Sequence, residues 1–330
     1  MRFVVTGALG HIGSRLIRTL PDAFPGAEII MLDDLSTQRF SSLFDLPASG
    51  RYRFVECDVT KADLEPFIAG ADAVIHLAAQ TDAAGSIERR EQVERVNFTA
   101  TERVAIACLR HSVALISPSS TSVYGTQKTV VDEDCAVEDL KPQSPYAETK
   151  IREEQLLIGL AARGLRVAVL RLGTIFGVSP GMRFHTAINK FCWQAVMGTP
   201  LTVWKTAYDQ RRPYLDLSDA VAAIVFFIRQ DRYDGRIYNV VTENASVRMV
   251  VDRIKRYVPD LAVSVVDHAI MNQHSYDVAS TRLSELGFRC SGDMVRGIAT
   301  TVELLRSSNG QFSGSSATRE LARTSRLVTP

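Results

Sequence analysis

The sequence predicts an α/β protein built on a doubly wound parallel sheet, with a smaller lobe interleaved toward its C-terminal half. Three observations carry this. Short apolar runs alternate with amphipathic stretches through the first half of the chain. A glycine turn, Gly7-x-x-Gly10-x-x-Gly13, joins the first run to the first amphipathic stretch, and an acid, Asp33, closes the second run. Strands alternating with helices make a parallel sheet covered on both faces, with ligands at the carboxyl ends of the strands.

Residues 2–6 form the first apolar run. Within 12–20, Ile12, Leu16, Ile17 and Leu20 have helical spacing. Residues 28–32, 53–55, 73–77 and 114–117 are the next strand candidates, and 88–111 is the longest helical stretch between them. A sixth strand, 166–171, follows a helix that carries Tyr146 and Lys150. Past Phe176 the alternation loosens into a loop at 177–181, a helix at 184–197 and short strands at 201–204 and 214–217. The expected organisation is a Rossmann-type dinucleotide-binding domain over 1–175, its sheet completed by a strand near 237–241. Residues 176–306 form mainly the substrate lobe, and the polar stretch 307–330 reads as a mobile tail.

Composition narrows the function. The 330 residues are 46% hydrophobic and 23% charged with a net charge of +1, so a sizeable core is expected and a broad polyanion-binding field is not. Nucleic acid and membrane surfaces are therefore not expected partners, and no apolar run approaches the ~20 residues that span a bilayer. The chain enters a strand at once, which leaves no room for a cleaved signal peptide. Five scattered cysteines without zinc-type spacing read as reduced thiols in a cytoplasmic protein, and no metal is expected.

The glycine turn suits a pyrophosphate, which must approach the backbone closely at a helix N-terminus. A tight strand–helix turn without ligand has the same pattern, and Asp33 separates the two. It lies 20 residues after Gly13, where an acid accepts hydrogen bonds from the adenosine ribose. A 2′-phosphate would be repelled by Asp33 and Asp34, which favours NAD over NADP, with Arg39 as the opposing observation. Asp58 is placed either to contact the adenine or to cap a helix.

Tyr146 and Lys150 are four apart on a helix and share a face. An ammonium beside a phenol favours phenolate, so Tyr146 can act as a general base, while Lys150 also holds the cofactor ribose. Ser120 is placed to anchor a substrate hydroxyl.

These strings resemble the extended short-chain dehydrogenase/reductase family, in its nucleotide-sugar epimerase/dehydratase branch, over roughly residues 1–305. The resemblance implies cofactor contacts from Gly7, Gly10, His11, Ile12 and Gly13, from Asp33-Asp34-Leu35-Ser36-Thr37, and from Asp58-Val59. It adds His76-Leu77-Ala78-Ala79-Gln80 beside the cofactor, and Asn97 on the following helix. It identifies Ser120, Tyr146 and Lys150 as catalytic, and it implies that Arg212, in Arg212-Pro213-Tyr214, grips the nucleotide diphosphate. It implies a homodimer through the 88–111 and Tyr146 helices, which sedimentation as a monomer at micromolar concentration would refute.

Two departures bear on the activity. The family's 4,6-dehydratases carry an Asp-Glu pair directly after the catalytic hydroxyl, where this chain has Thr121 and Ser122. Neither is an acid/base near neutrality, so dehydration is disfavoured. Where UDP-galactose 4-epimerases run into Phe-Asn, this chain has Gly173-Thr174, which alters a substrate contact at Thr174 and leaves room at Gly173. Thr121, Thr174, His185 and Asn189 complete the expected substrate side. The reading is an NAD-dependent nucleotide-sugar 4-epimerase. A dehydrogenase or ketosugar reductase with exchangeable NAD(P) is the alternative, followed by a 4,6-dehydratase or a non-catalytic dinucleotide sensor.

Overall fold

The computed structural model describes residues 1–81, 85–125, 129–266 and 275–308, so residues 309–330 of the tail expected from the sequence lie outside the described residues. In chain order the elements are β1 (Arg2–Thr6), α1 (His11–Ala23), β2 (Glu28–Asp33), β3 (Arg51–Glu56), α2 (Glu65–Ile68), β4 (Ala73–His76), α3 (Arg90–Arg110), β5 (Ala114–Ser120), β6 (Val130–Val131), α4 (Pro145–Ala161) and β7 (Val167–Leu172). They continue with β8 (Thr174–Phe176), α5 (Ala187–Val196), β9 (Leu201–Trp204), β10 (Arg211–Asp216), α6 (Leu217–Arg229), β11 (Asp234–Val240), β12 (Glu243–Ser246), α7 (Val247–Lys255), β13 (Val263–Val266), β14 (Asp277–Val278), α8 (Thr281–Glu285) and α9 (Met294–Ser308).

Seven strands form one parallel sheet in the order β11-β7-β5-β4-β1-β2-β3. The order reverses at β1, between β4 and β2, and such a switch point opens a crevice at the strand ends. Period-two alternation divides the apolar side chains between two cores. Phe3, Val5, Ile29, Met31 and Ile75 face α1 and α6. Val4, Ile30, Leu32 and Val74 face α3 and α4. A third core, built on α5, α7 and α9 with Leu201, Val203 and Tyr214, supports the second lobe.

The chain crosses between lobes more often than a boundary at residue 175 suggests. α6 is apolar along most of its length and buries Ala220, Ile224 and Phe227 in the same core as α1, and β11 then pairs with β7. The turn after β8 is fixed to the glycine turn: Ser179 Oγ donates to the His11 carbonyl at 2.9 Å, and the Gly181 N–H donates to Ser14 Oγ at 3.0 Å. The two lobes therefore meet at the N-terminus of α1. Among the described residues, no helix is long and apolar enough to cross a membrane, and all five cysteines are free thiols.

Candidate active site

A cavity of about 1140 Å³ opens over the carboxyl ends of β1, β2, β4, β5 and β7. At its base Gly7 has φ +63°, and a Cβ there would lie 2.6 Å from the Leu77–Ala78 backbone, so the β1/β4 crossing itself demands glycine. A Cβ at Gly13 would meet the Gly7 carbonyl at 2.4 Å. Gly10 differs: its φ is −67°, and a Cβ would find the Gly7 oxygen at 3.2 Å and Arg39 Nη1 at 3.8 Å. No side chain caps α1 and no acid sits in its first turn, so its leading N–H groups are left to an anion. An uncapped helix start, a guanidinium over it and bare Gly10 fit the pyrophosphate of a dinucleotide.

Asp33 closes β2 on the cavity wall. Its carboxylate accepts the N–H groups of Leu9 at 3.0 Å and Leu35 at 3.1 Å, and burial pushes its pKa up. Asp34 folds back onto Ser36, accepting from its N–H at 3.0 Å and its hydroxyl at 2.7 Å, which shapes the loop holding Ser36 and Thr37. Asp58 accepts from the Thr60 N–H and hydroxyl and pairs with Lys61 at 2.8 Å, contacts that lower its pKa to about 2. Its carboxylate thus serves as a turn cap on the cavity wall beside Val59.

Leu77 to Gln80 line the cavity opposite the glycine turn. Asn97 does not line it. Its side chain accepts the Gln80 N–H at 2.8 Å and donates to the Gln80 carbonyl at 2.9 Å, so it clamps that loop from behind. His11 and His76 are both buried, and burial lowers each pKa to about 3. His11 Nε2 meets the Gly177 carbonyl at 2.8 Å, and His76 Nδ1 meets Thr6 Oγ1 at 2.8 Å. Both are neutral spacers rather than acids.

Ser144 caps α4 by accepting the Ala147 N–H at 3.2 Å, and Pro145 starts the helix, which places Tyr146 in its first turn. Lys150, one turn on, is buried, with Nζ 5.8 Å from the centre of the Tyr146 ring. Nζ donates to the Pro118 carbonyl at 3.1 Å and to Glu153 Oε2 at 2.8 Å. Burial opposes the charge, but Glu153, Tyr146 and Glu154 outweigh it and raise the Lys150 pKa, so it remains an ammonium. Ser120 Oγ lies at the end of β5, 2.8 Å from Ser122 Oγ, and faces the same cavity. Among the described residues, the carboxylates on the cavity wall are Asp33, Asp34 and Asp58, all at the end formed by β2 and the turn after β3. At the Tyr146 end stand Ser120, Thr121, Ser122 and Thr174.

On the substrate side Arg211 and Arg212 separate. Arg211 is held by Asp277 through Nε at 2.6 Å and Nη2 at 3.1 Å, whereas Arg212 faces the cavity with its guanidinium 6.0 Å from the Tyr276 ring. His185 lines the cavity too. Asn189 does not: it is fully buried, accepts the Gly177 N–H at 3.2 Å and donates to the Arg183 carbonyl at 3.1 Å, so it braces the lobe. Gly173 has a packing reason beside the expected extra room, because a Cβ would press on Pro213 and Tyr214 at 3.2 Å. Arg183 and Tyr276 line the cavity without having been expected there; each comes from a distant segment with no local pattern to mark it.

The NAD dependent epimerase/dehydratase family profile matches residues 3–240. The chain belongs to that family. It is 30% identical to the uncharacterized UDP-glucose epimerase YtcB of Bacillus subtilis strain 168 over 77% of this chain and 81% of that one. It is 29% identical to the dTDP-glucose 4,6-dehydratase of Streptomyces griseus over 91% and 92%. The structure of MoeE5 in complex with UDP-glucuronic acid and NAD superposes with a TM-score of 0.81 at 28% identity, covering 93% of this chain and 100% of that one. The cofactor of the family is NAD, and the cavity has the acid, glycine turn and uncapped helix that this dinucleotide needs.

Proposed function

We propose that the protein is a nucleotide-sugar 4-epimerase that works by transient oxidation at C4. Family membership alone leaves epimerase and dehydratase open, since relatives of both kinds are about equally similar. The observation that carries the choice is that, among the described residues, no carboxylate lines the cavity at the Tyr146 end, where Thr121 and Ser122 stand. Eliminating water across C5 and C6 needs a base and an acid there, and hydroxyls do not supply them near neutrality.

Tyr146 takes the proton of the C4 hydroxyl and later returns it. Lys150 holds a positive charge beside the phenol and favours its ionised form. Ser120 orients the hydroxyl. Gly10 and the first turn of α1 would hold the pyrophosphate of NAD, Asp33 its adenosine ribose and Lys150 its nicotinamide ribose, and the bound cofactor would supply a hydride acceptor for C4 and a donor to the other face of the ketone. Arg212 holds the diphosphate of the substrate, which lets the sugar turn over while the nucleotide stays in place. Tyr146→Phe should cut kcat by about 10²–10⁴-fold, the range for a lost general acid/base, with NAD still released on denaturation; a fully active variant sinks the mechanism.

A further inference from the structure

Glu153 and Glu154 are consecutive on α4, and both are buried at 2–3% exposure. Their surroundings differ. Glu154 is used on both oxygens: Arg171 donates through Nε at 2.8 Å and Nη2 at 2.6 Å, and Ser119 Oγ donates at 2.6 Å. Glu153 is used on one oxygen. Oε2 accepts from Lys150 Nζ at 2.8 Å and from Thr101 Oγ1 at 3.0 Å, while Oε1 is buried with no hydrogen-bond partner among the described residues. A buried carboxylate with an open oxygen is unfavourable and calls for a reason. The backbone does not need this one, since its contacts are the lysine and a single hydroxyl.

We propose that Glu153 is a positioning residue that holds the Lys150 ammonium and, through its charge, sets the pH at which the Tyr146–Lys150 pair gives up a proton. The proposal rests on reading Tyr146 as the acid/base. Glu153 is not part of the cavity wall, so it acts through Lys150. The other titratable groups around the pair are compensated. His76 on β4 is neutral. Arg171 on β7 is matched by Glu154. α3 contributes the hydroxyl of Thr101, and β5 the Pro118 carbonyl and the Ser119 hydroxyl. Glu153 is therefore the counter-charge to Lys150. An anion at 2.8 Å makes the ammonium harder to deprotonate and offsets the positive charge that the phenol experiences. Removing it makes the first proton of the coupled pair leave at lower pH.

The test compares wild type, Glu153→Gln and Tyr146→Phe as NAD-loaded proteins. Two readouts are followed against pH: kcat/KM, and the tyrosinate absorbance step near 295 nm that Tyr146→Phe abolishes. In Glu153→Gln both the acid limb and that step should move to lower pH by about one unit, the low end for a charge within ~4–6 Å. A variant that loses activity with both pH positions unchanged, or moved upward, overturns the proposal and leaves Glu153 as packing. If Glu153→Gln does not fold, Glu153→Asp draws the charge back by one methylene and should give a smaller shift in the same direction; no shift there overturns it equally. Full activity in Tyr146→Phe would refute the functional reading instead, while the absorbance step, which needs no turnover, still tests Glu153.

Discussion

At the scale of single residues the glycine turn separates two reasons for the same amino acid. Gly7 is demanded by the fold, through its positive φ and the Leu77–Ala78 backbone that follows β4, whereas Gly10 has ordinary dihedrals and faces the cavity. Gly7→Ala should therefore lower the melting temperature, with strain of about 1–2 kcal/mol from the left-handed backbone alone. Gly10→Ala should melt within a few degrees of wild type and lose about tenfold in NAD affinity, about 1.4 kcal/mol. Thermal melts with and without NAD measure both. Equal behaviour of the two variants contradicts the assignment of Gly10 to the pyrophosphate. The sequence spacing marked all three glycines, Asp33, Tyr146 and Lys150, because each contact depends on neighbours a few residues away or on one strand end. It did not separate Asn97 and Asn189 from the cavity wall, because whether an amide points at ligand or at backbone is decided by segments far along the chain.

At the scale of elements, α4 carries Tyr146 and Lys150 on its first turns and a buried charge network behind them. Arg171, Glu154, Ser119, Tyr124 and Asn239 link β7, α4, β5 and β11 by hydrogen bonds of 2.6–2.9 Å. Removing one partner leaves an uncompensated buried charge, so Glu154→Ala should cost about 3–5 kcal/mol in denaturant unfolding. A cost below about 1 kcal/mol would mean that the network does not hold α4 to the sheet. The signal for both glutamates was present in the sequence, since 153 and 154 follow Lys150 by three and four positions and so fall on its side of the helix. α6 was missed for the opposite reason. A run as apolar as 217–229 suits a buried strand as well as a buried helix, and its Asp216 cap and its length decide for the helix.

At the scale of the molecule, the interlocked lobes bury two neutral histidines beside the cavity. Each has a folded pKa of about 3 against about 6.5 unfolded. As pH falls through 6.5 the unfolded chain binds protons that the native chain refuses, so stability present at pH 7 is lost progressively toward pH 3. The slope approaches about 1.4 kcal/mol per pH unit for each histidine. Asp33 and Glu133, whose pKa values are raised by burial, push the opposite way, but from the carboxylate range upward. Unfolding free energy should therefore fall between pH 7 and 5.5, and a flat or rising profile over that window contradicts two buried neutral imidazoles. The parallel sheet followed from alternation and right-handed crossovers, and the strand expected near 237–241 completes it as β11 beside β7, while the order of the strands depends on long-range pairings that no local pattern encodes.

Epimerisation at C4 is tested by proton NMR of nucleotide hexoses deuterated at C4, with UDP and dTDP as the nucleotides, incubated with the purified protein. The expected product is a 4-epimer that keeps the deuterium at C4, with no NADH accumulating in solution. A 4-keto-6-deoxy product, or NADH formed in step with an oxidised sugar, would contradict it.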